Sequence, residues 1–417
     1  MTWERTRSNR EAAIGVDGAL ARILTHFAPL PTKHVPLLDA LGLAVAADVV
    51  AEGAVPPFRN SAMDGFAVRS ADTTRAPVTL RVTGHVVAGH AAGQHFAAGE
   101  AVRIMTGAPV PDDADAVVRF EDVRERDGQI ELARPVRPGD NVRLAGEDIP
   151  AGAVVVQEGS QLTPAAIGAL AAAGVSRVPV RRRPRVAILS TGDEVAEPGE
   201  ALAAGMIWNS NSPMLAALVR QADGEPLLLG IARDTDLDIR ERLASADAPD
   251  LFVTSGGVSV GDYDMVKDVL RTEGSIDIWQ VGMKPGRPLA FGTIGSTPLL
   301  GLPGNPAAAY VSFLQFGWPA IRRMLGFATV GLPESDARLA VGLTNRGGRR
   351  NFVRGVVMVE AATGVVRPAV CQGSAMLSGL SEANCLIVLP EDREAFEAGE
   401  IIRIQLLPGS RIPEAST

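Results

Sequence analysis

Between Arg185 and about Leu325 the chain alternates short apolar runs with amphipathic segments of helical period, and this alternation leaves few folds open. Val186-Ala187-Ile188-Leu189, Leu227-Leu228-Leu229 and Leu251-Phe252-Val253 read as buried strands. The segment opened by Ser212-Pro213, the one through Ile239 and Leu243, and the one from Tyr263 to Arg271 read as the helices between them. Two further strands are expected at 276–281 and 289–294, then Leu299-Leu300, then a long helix from Asn305-Pro306 to about Leu325. Strands joined through helices must run mostly parallel, so the expected core is a doubly wound α/β sheet with helices on both faces.

The flanks differ. Ser8-Asn9-Arg10-Glu11 fits a capping box ahead of a helix carrying Ala13, Leu20, Ile23, Leu24 and Phe27, which Pro29 and Pro31 stop. Thr163-Pro164 opens a second helix that runs to Gly174. Between them, short strands are expected at 78–82, 101–105, 116–120 and 129–132. After Gly331 the chain turns β-rich again, with a hairpin-like stretch at 352–366. The expected organisation is a discontinuous helical domain at 7–50 plus 148–180, an inserted β-rich domain at 51–147, the α/β domain at 181–328, and a C-terminal β domain at 329–417.

Composition narrows the function. An apolar fraction of 46% supplies several cores and excludes a wholly disordered chain. A net charge of −8 lacks the electrostatic footprint of a duplex-binding protein, so no nucleic-acid partner is expected. Cys371 and Cys385 build neither a disulfide scaffold nor a zinc motif. The N-terminus has no apolar segment of signal-peptide type, and the longest nearly apolar run, 165–175, is far short of the roughly 20 residues of a membrane span. A cytoplasmic protein with no membrane partner is expected.

In an open α/β sheet, ligands sit beyond the carboxyl ends of the strands. Four loops there are unusual: Ser190-Thr191-Gly192-Asp193-Glu194, the stretch from Thr254 to Asp264, Lys284-Pro285-Gly286-Arg287-Pro288, and Leu302-Pro303-Gly304-Asn305-Pro306. Asp234 adds a fifth polar strand end. In the second loop Gly256, Gly257 and Gly261 admit close backbone approach, while Ser255 and Ser259 add hydroxyls, a combination that suits a phosphate. It is neither a P-loop nor a dinucleotide fingerprint. Glu194, Asp234 and Asp264 would repel a phosphate unless a hard cation such as Mg²⁺ lies between them. Taken singly, Asp193, Glu194 and Asp234 equally suit helix caps or solvated loop charges. Lys284 and Arg287, fixed by prolines, are candidates for an oxyanion.

The motifs Asn60-Ser61-Ala62-Met63-Asp64-Gly65-Phe66-Ala67, Ile104-Met105-Thr106-Gly107-Ala108, Gly146-Glu147-Asp148-Ile149, Ser190-Thr191-Gly192-Asp193-Glu194, Ser255-Gly256-Gly257-Val258-Ser259-Val260-Gly261, Lys284-Pro285-Gly286 and Leu302-Pro303-Gly304-Asn305-Pro306 occur in this order. Together they resemble the molybdopterin molybdenumtransferase (MoeA) family, which includes the E domain of gephyrin. The resemblance implies Mg²⁺-dependent insertion of molybdate into adenylylated molybdopterin with release of AMP. It implies catalytic roles for Asp64, Asp148, Glu194, Asp234 and Asp264, with Glu194, Asp234 and Asp264 at the metal. It implies substrate contacts from Thr191, Gly192, Ser255, Gly256, Gly257, Ser259, Gly261, Lys284, Arg287, Pro303, Asn305, Arg354 and Ser374. An elongated homodimer is implied, with Asp64 and Asp148 reaching the partner's pocket, as are a molybdopterin adenylyltransferase and acceptor molybdoenzymes as partners. Two other readings share parts of the pattern: a molybdopterin adenylyltransferase, which resembles the central domain alone, and a non-catalytic gephyrin-like scaffold. Arg287 stands where the family often has lysine, and Phe66 where it often has tyrosine.

Overall fold

The computed structural model of the protein describes residues 13–89, 95–257, 269–272, 274–360 and 363–413. Its chain divides into two compact units, residues 34–180 and residues 1–33 with 181–417.

The 34–180 unit is built on a six-stranded sheet in the order Ala116–Arg119, Gly65–Val68, Glu100–Ile104, Val78–Val86, Gln129–Leu132, Val123–Arg126. All neighbours are antiparallel except Val78–Val86 with Glu100–Ile104. Alternation puts Ala67, Val102, Ile104 and Val117 in one apolar core and Phe66, Val68, Leu80, Ala101 and Ile130 in another. Phe66 is fully buried and packs edge-on against Phe120. A third core gathers Leu43, Val45, Val156, Leu170 and Val178 around the helix Pro164–Ala172. That helix starts as its sequence requires: Thr163 Oγ1 accepts from the Ala166 amide at 3.2 Å, and Pro164 fills the first turn.

The larger unit contains the α/β sheet. Its strands are β1 Arg185–Thr191, β2 Glu225–Ala232, β3 Leu251–Ser255, β4 Gly274–Gln280, β5 Pro288–Ile294 and β6 Thr297–Leu302, with helices α1 Asn211–Gln221, α2 Asp236–Ala244 and α3 Pro306–Ser312. The spatial order is β2-β1-β3-β6-β5-β4. The first three pairings are parallel and the last two antiparallel, so the parallel sheet carries an antiparallel end. Strand β1 lies between β2 and β3, so the order reverses there, and the crevice for a ligand opens beyond the carboxyl ends of β1 and β3.

The helix expected from 306 to about 325 is interrupted. It runs as α3, a π-helical turn at Phe313–Gly317, and a second α-helix at Trp318–Met324. Pro319 has no N–H to continue the regular ladder, which accounts for the widened turn. The helix Val16–Leu24 begins several residues after Ser8–Glu11, which lies outside the described residues. It belongs to this unit, where Phe27 and His26 pack against the fully buried ring of Phe291 on β5. Phe291→Ala should cost about 3–5 kcal/mol of stability, read as a lower urea midpoint for this unit.

Strands Arg350–Glu360, Thr363–Pro368, Glu334–Leu339, Ile401–Leu406 and Cys385–Leu389 close into a barrel, because the first also pairs with the last. The short strand Met283–Lys284 pairs in parallel with the start of the first of these strands, Met283 with Arg350 and Lys284 with Asn351. This register brings the Lys284-Pro285-Gly286-Arg287 loop alongside the barrel.

Candidate functional site

Two clefts lie in the larger unit, and they differ in charge. The first, of about 660 Å³, opens at the sheet's reversal point. Its wall includes Thr191, Gly192, Glu194, Asp234, Ser255, Gly256, Gly257, Pro303 and Asn305. Four separate expectations therefore meet here: the β1, β2, β3 and β6 loops all contribute.

Backbone geometry at Gly256 requires glycine. Its φ is +99°, and an added Cβ would lie 2.7 Å from Thr191 Oγ1 and 2.8 Å from the Thr191 carbonyl oxygen. The β3 loop thus passes directly against the β1 loop, and any side chain at that point would part them. Ser259, Gly261 and Asp264 lie outside the described residues.

The only ionisable side chains among this cleft's described lining residues are Glu194 and Asp234. Neither bonds to another side chain among the described residues; the Asp193 backbone amide lies beside the Asp234 carboxylate, and both groups still face the cleft. Asp193 is committed elsewhere: its Oδ1 takes the Asp234 amide at 3.4 Å and lies 3.9 Å from the Arg233 guanidinium. The helix is capped by Thr235, whose Oγ1 accepts from the Asp238 amide at 3.3 Å, while the Asp238 carboxylate reaches back to accept from the Arg233 amide at 2.7 Å. Desolvation holds the Asp234 pKa above the usual carboxylate range, and the nearby charges of Asp193 and Glu194 push the same way. Among the described residues no group of three or more metal-binding side chains forms, so Glu194 and Asp234 are the two carboxylates this cleft offers a cation. Mg²⁺ needs only one or two protein carboxylates when substrate phosphates complete its shell, so Glu194 and Asp234 fit such an ion.

Asn211 was not expected from sequence. It is 8% exposed, and its Nδ2 donates to Ser255 Oγ and to the Gly304 carbonyl, each at 2.7 Å. It ties the β3 and β6 loops together, and its Oδ1 has no partner among the described residues. The hydroxyl of Thr191 is likewise buried and unpaired. Nearby, Asn209 Oδ1 accepts from the Ser212 amide at 3.1 Å and starts α1. The run Asn209-Ser210-Asn211-Ser212-Pro213 carried this signal, because asparagines before a helix favour side-chain-to-backbone bonding.

The second cleft, of about 770 Å³, shares Pro288, Pro303 and Asn305 with the first. Its described lining contains Lys284, Arg287, Arg349 and Arg354 and no carboxylate. The Lys284 and Arg287 side chains are exposed and make no ion pair among the described residues. Arg354 is 1% exposed; its Nη2 donates to the carbonyls of Cys371 and Gly373, while its Nε is unpaired. Burial lowers its pKa from the usual guanidinium value. Asn305 Nδ2 donates to Ser374 Oγ at 3.2 Å, fixing that hydroxyl at the boundary of the clefts. Gly286, at φ +105°, allows the Lys284–Arg287 loop to turn; a Cβ there would lie 2.3 Å from Ser312 Oγ.

The chain's similarity to known proteins agrees with this geometry. Its residues 14–174 match the model of the MoeA N-terminal region (domain I and II), 187–323 that of a probable molybdopterin binding domain, and 336–407 that of the MoeA C-terminal region (domain IV). It is 36% identical to a molybdopterin molybdenumtransferase of Haemophilus influenzae over 90% of this chain and 94% of that one. The chain belongs to the MoeA family. It is also 40% identical to molybdopterin molybdenumtransferase 2 of Mycobacterium tuberculosis, over 89% of this chain and 94% of the relative. Among solved structures, the MoeA protein of Pyrococcus horikoshii superposes with a TM-score of 0.83 at 31% identity, covering 95% of this chain and all of that one.

The remaining expected acids of this MoeA-family chain lie in the 34–180 unit. Asp64 directly precedes the strand Gly65–Val68, and its Oδ1 accepts from the Thr106 amide at 2.7 Å and from Thr106 Oγ1 at 2.8 Å. These bonds hold its carboxyl below the usual range, so it is ionised at neutral pH. Gly65 is dictated by packing, since a Cβ would fall 1.9 Å from the Val118 carbonyl oxygen. In the other motif, Glu147 closes the turn by accepting from the Leu144 amide at 2.8 Å, which leaves the exposed side chain of Asp148 uncommitted. No helix among the described residues is long and apolar enough to cross a membrane.

Proposed function

We propose that this chain is a molybdopterin molybdenumtransferase, which inserts molybdate into adenylylated molybdopterin and releases AMP. The observation that carries the reading is the pair of adjoining clefts: in one the charged described lining is carboxylate, in the other it is cationic, with Pro303 and Asn305 in both walls. A phosphorylated substrate that binds a metal and a separate oxyanion need that division of charge.

In this reading the backbone at Gly256 and Gly257 and the Thr191 hydroxyl receive the phosphate. Glu194 and Asp234 would hold Mg²⁺, with Asp264 as a further candidate; the ion supplies charge withdrawal from the phosphoanhydride. Asn211 positions the Ser255 hydroxyl against the same substrate. Lys284, Arg287, Arg354 and Ser374 hold molybdate, the cations offsetting its charge and Ser374 donating a hydrogen bond. Asp64 and Asp148 act in a homodimer from the partner's side. Support for the dimer comes from exposed apolar side chains in the 34–180 unit, among them Leu38, Leu41 and the paired Val50 and Val154. A cytoplasmic location fits the two unpaired cysteines.

The test is turnover. Purified protein given adenylylated molybdopterin should release AMP only when both molybdate and Mg²⁺ are supplied. Release of AMP with neither, or adenylylation of molybdopterin by ATP instead, would overturn the assignment.

The raised pKa of Asp234 adds a pH dependence. As pH falls, this carboxyl takes up its proton before an ordinary aspartate does, and the cleft loses negative charge. Apparent Mg²⁺ affinity should therefore weaken on acidification, beginning at a higher pH than an ordinary carboxylate would give. Asp234→Asn should flatten that acid limb as well as weaken Mg²⁺ binding at pH 7. An unchanged limb in the variant would show that another group titrates.

A further inference from the structure

We propose that the indole of Trp208 is a stacking platform for a fused-ring heterocycle of the phosphorylated substrate, its adenine or its pterin. The inference rests on the reading of the first cleft as the site of that substrate.

Of the tryptophan side chains the structure describes, Trp318 is buried at 6% exposure, whereas Trp208 is 53% exposed. Trp208 lines the first cleft together with Val195, Ile207, Ala375 and Leu377, and Ile207 and Leu377 are also exposed. Exposed apolar side chains gathered in a concavity mark a surface that a ligand covers. Thr191, Glu194, Asp234 and the glycines of the same lining suit a phosphate and its metal, but they give this apolar surface no task.

The indole is held in place. Its Nε1 donates to the Glu200 carbonyl at 3.0 Å. That carbonyl belongs to a closed turn: the Glu200 amide donates to the Glu197 carbonyl at 3.1 Å, and the Glu200 carboxylate accepts from the Glu197 amide at 3.2 Å. The backbone is fixed as well. Ile207–Trp208 pairs in parallel with Val195–Ala196, the Ile207 amide donating to the Glu194 carbonyl and the Asn209 amide to the Ala196 carbonyl, each at 2.8 Å. This ladder places Trp208 on the strand beside the Glu194 loop, next to the carboxylate that would hold the metal. With its one N–H spent on the fold, the indole has no hydrogen bond to offer a ligand, and what it presents is a rigid π surface. A plane fixed before the ligand arrives loses little freedom on stacking.

The experiment titrates the full chain, in excess Mg²⁺, with AMP and with ribose 5-phosphate, which lacks the base. AMP should quench the tryptophan emission of the parent protein and ribose 5-phosphate should not. Trp208→Ala should remove the quench and raise the AMP Kd about tenfold, as for one lost base–aromatic stack, with ribose 5-phosphate affinity unchanged. Trp208→Leu, which keeps apolar bulk without a π face, should behave like the alanine variant, and Trp208→Phe should keep most of the affinity. With adenylylated molybdopterin, KM should rise in Trp208→Ala while kcat changes little, because the stack forms with substrate and transition state alike. A raised AMP Kd identifies adenine as the ring; a normal AMP Kd with a raised KM identifies the pterin. Parental values of both in Trp208→Ala, or an equal loss for ribose 5-phosphate, would overturn the platform and leave the assignment of the cleft standing. A parent protein that neither binds AMP nor turns over adenylylated molybdopterin would remove that assignment and the platform with it.

Discussion

Replacing Glu194 by alanine should lower molybdate-dependent AMP release at least ~10²-fold, the effect of losing one electrostatic group worth ~3 kcal/mol at the reacting centre. The size follows from where Glu194 sits. Glu194 and Asp234 are the ionisable residues of the first cleft's described lining, so removing one halves that negative charge. Because Glu194 is exposed and its carboxylate makes no hydrogen bond or ion pair among the described residues, stability should stay within about 0.5 kcal/mol of the parent. The combination separates the mechanism from a folding defect. Single-turnover release of AMP, measured alongside thermal unfolding, checks both halves; near-normal turnover in this variant would remove the carboxylates from the chemistry.

Lys284→Ala should weaken molybdate binding by roughly 10- to 100-fold, the range for a hydrogen bond to a charged partner. The loss should appear in the molybdate titration rather than in binding of the adenylylated pterin, because Lys284 lines only the second cleft. Lys284 is the cleaner probe of this cleft than Arg354. The latter is fully buried and donates to the Cys371 and Gly373 carbonyls, so its removal leaves two acceptors unpaired and a cavity beside that segment. A Lys284 variant that titrates molybdate normally would contradict the division of labour between the clefts.

The two sites differ in how far the sequence alone reveals them. Apolar runs such as Val186-Ala187-Ile188-Leu189 are legible because a parallel strand buried on both faces has no polar positions, and the loops that follow them mark the ligand side of the sheet. That reasoning is enough to place Thr191, Glu194, Asp234 and Gly256 in one cleft. It does not reach Asn211, whose partners Ser255 and Gly304 stand 44 and 93 residues away. The π-helical turn at Phe313–Gly317 escapes a periodicity reading because Pro319 widens the ladder without disturbing the apolar pattern. Asp64 is recognisable by its motif, but the two bonds from Thr106 that hold it appear only when the strand Glu100–Ile104 is laid beside Gly65–Val68.

The account stands or falls on two substrates lying side by side, a phosphate-bearing one over the carboxylates and an oxyanion over the cations. Crystals grown with Mg²⁺ and AMP and soaked in tungstate test this directly, since tungsten scatters anomalously. The expected result is an anomalous peak within hydrogen-bond reach of Lys284 and Ser374, with the AMP phosphate against Gly256. A tungstate peak elsewhere, with the Lys284 cleft empty and Glu194 and Asp234 facing no ligand, would contradict it.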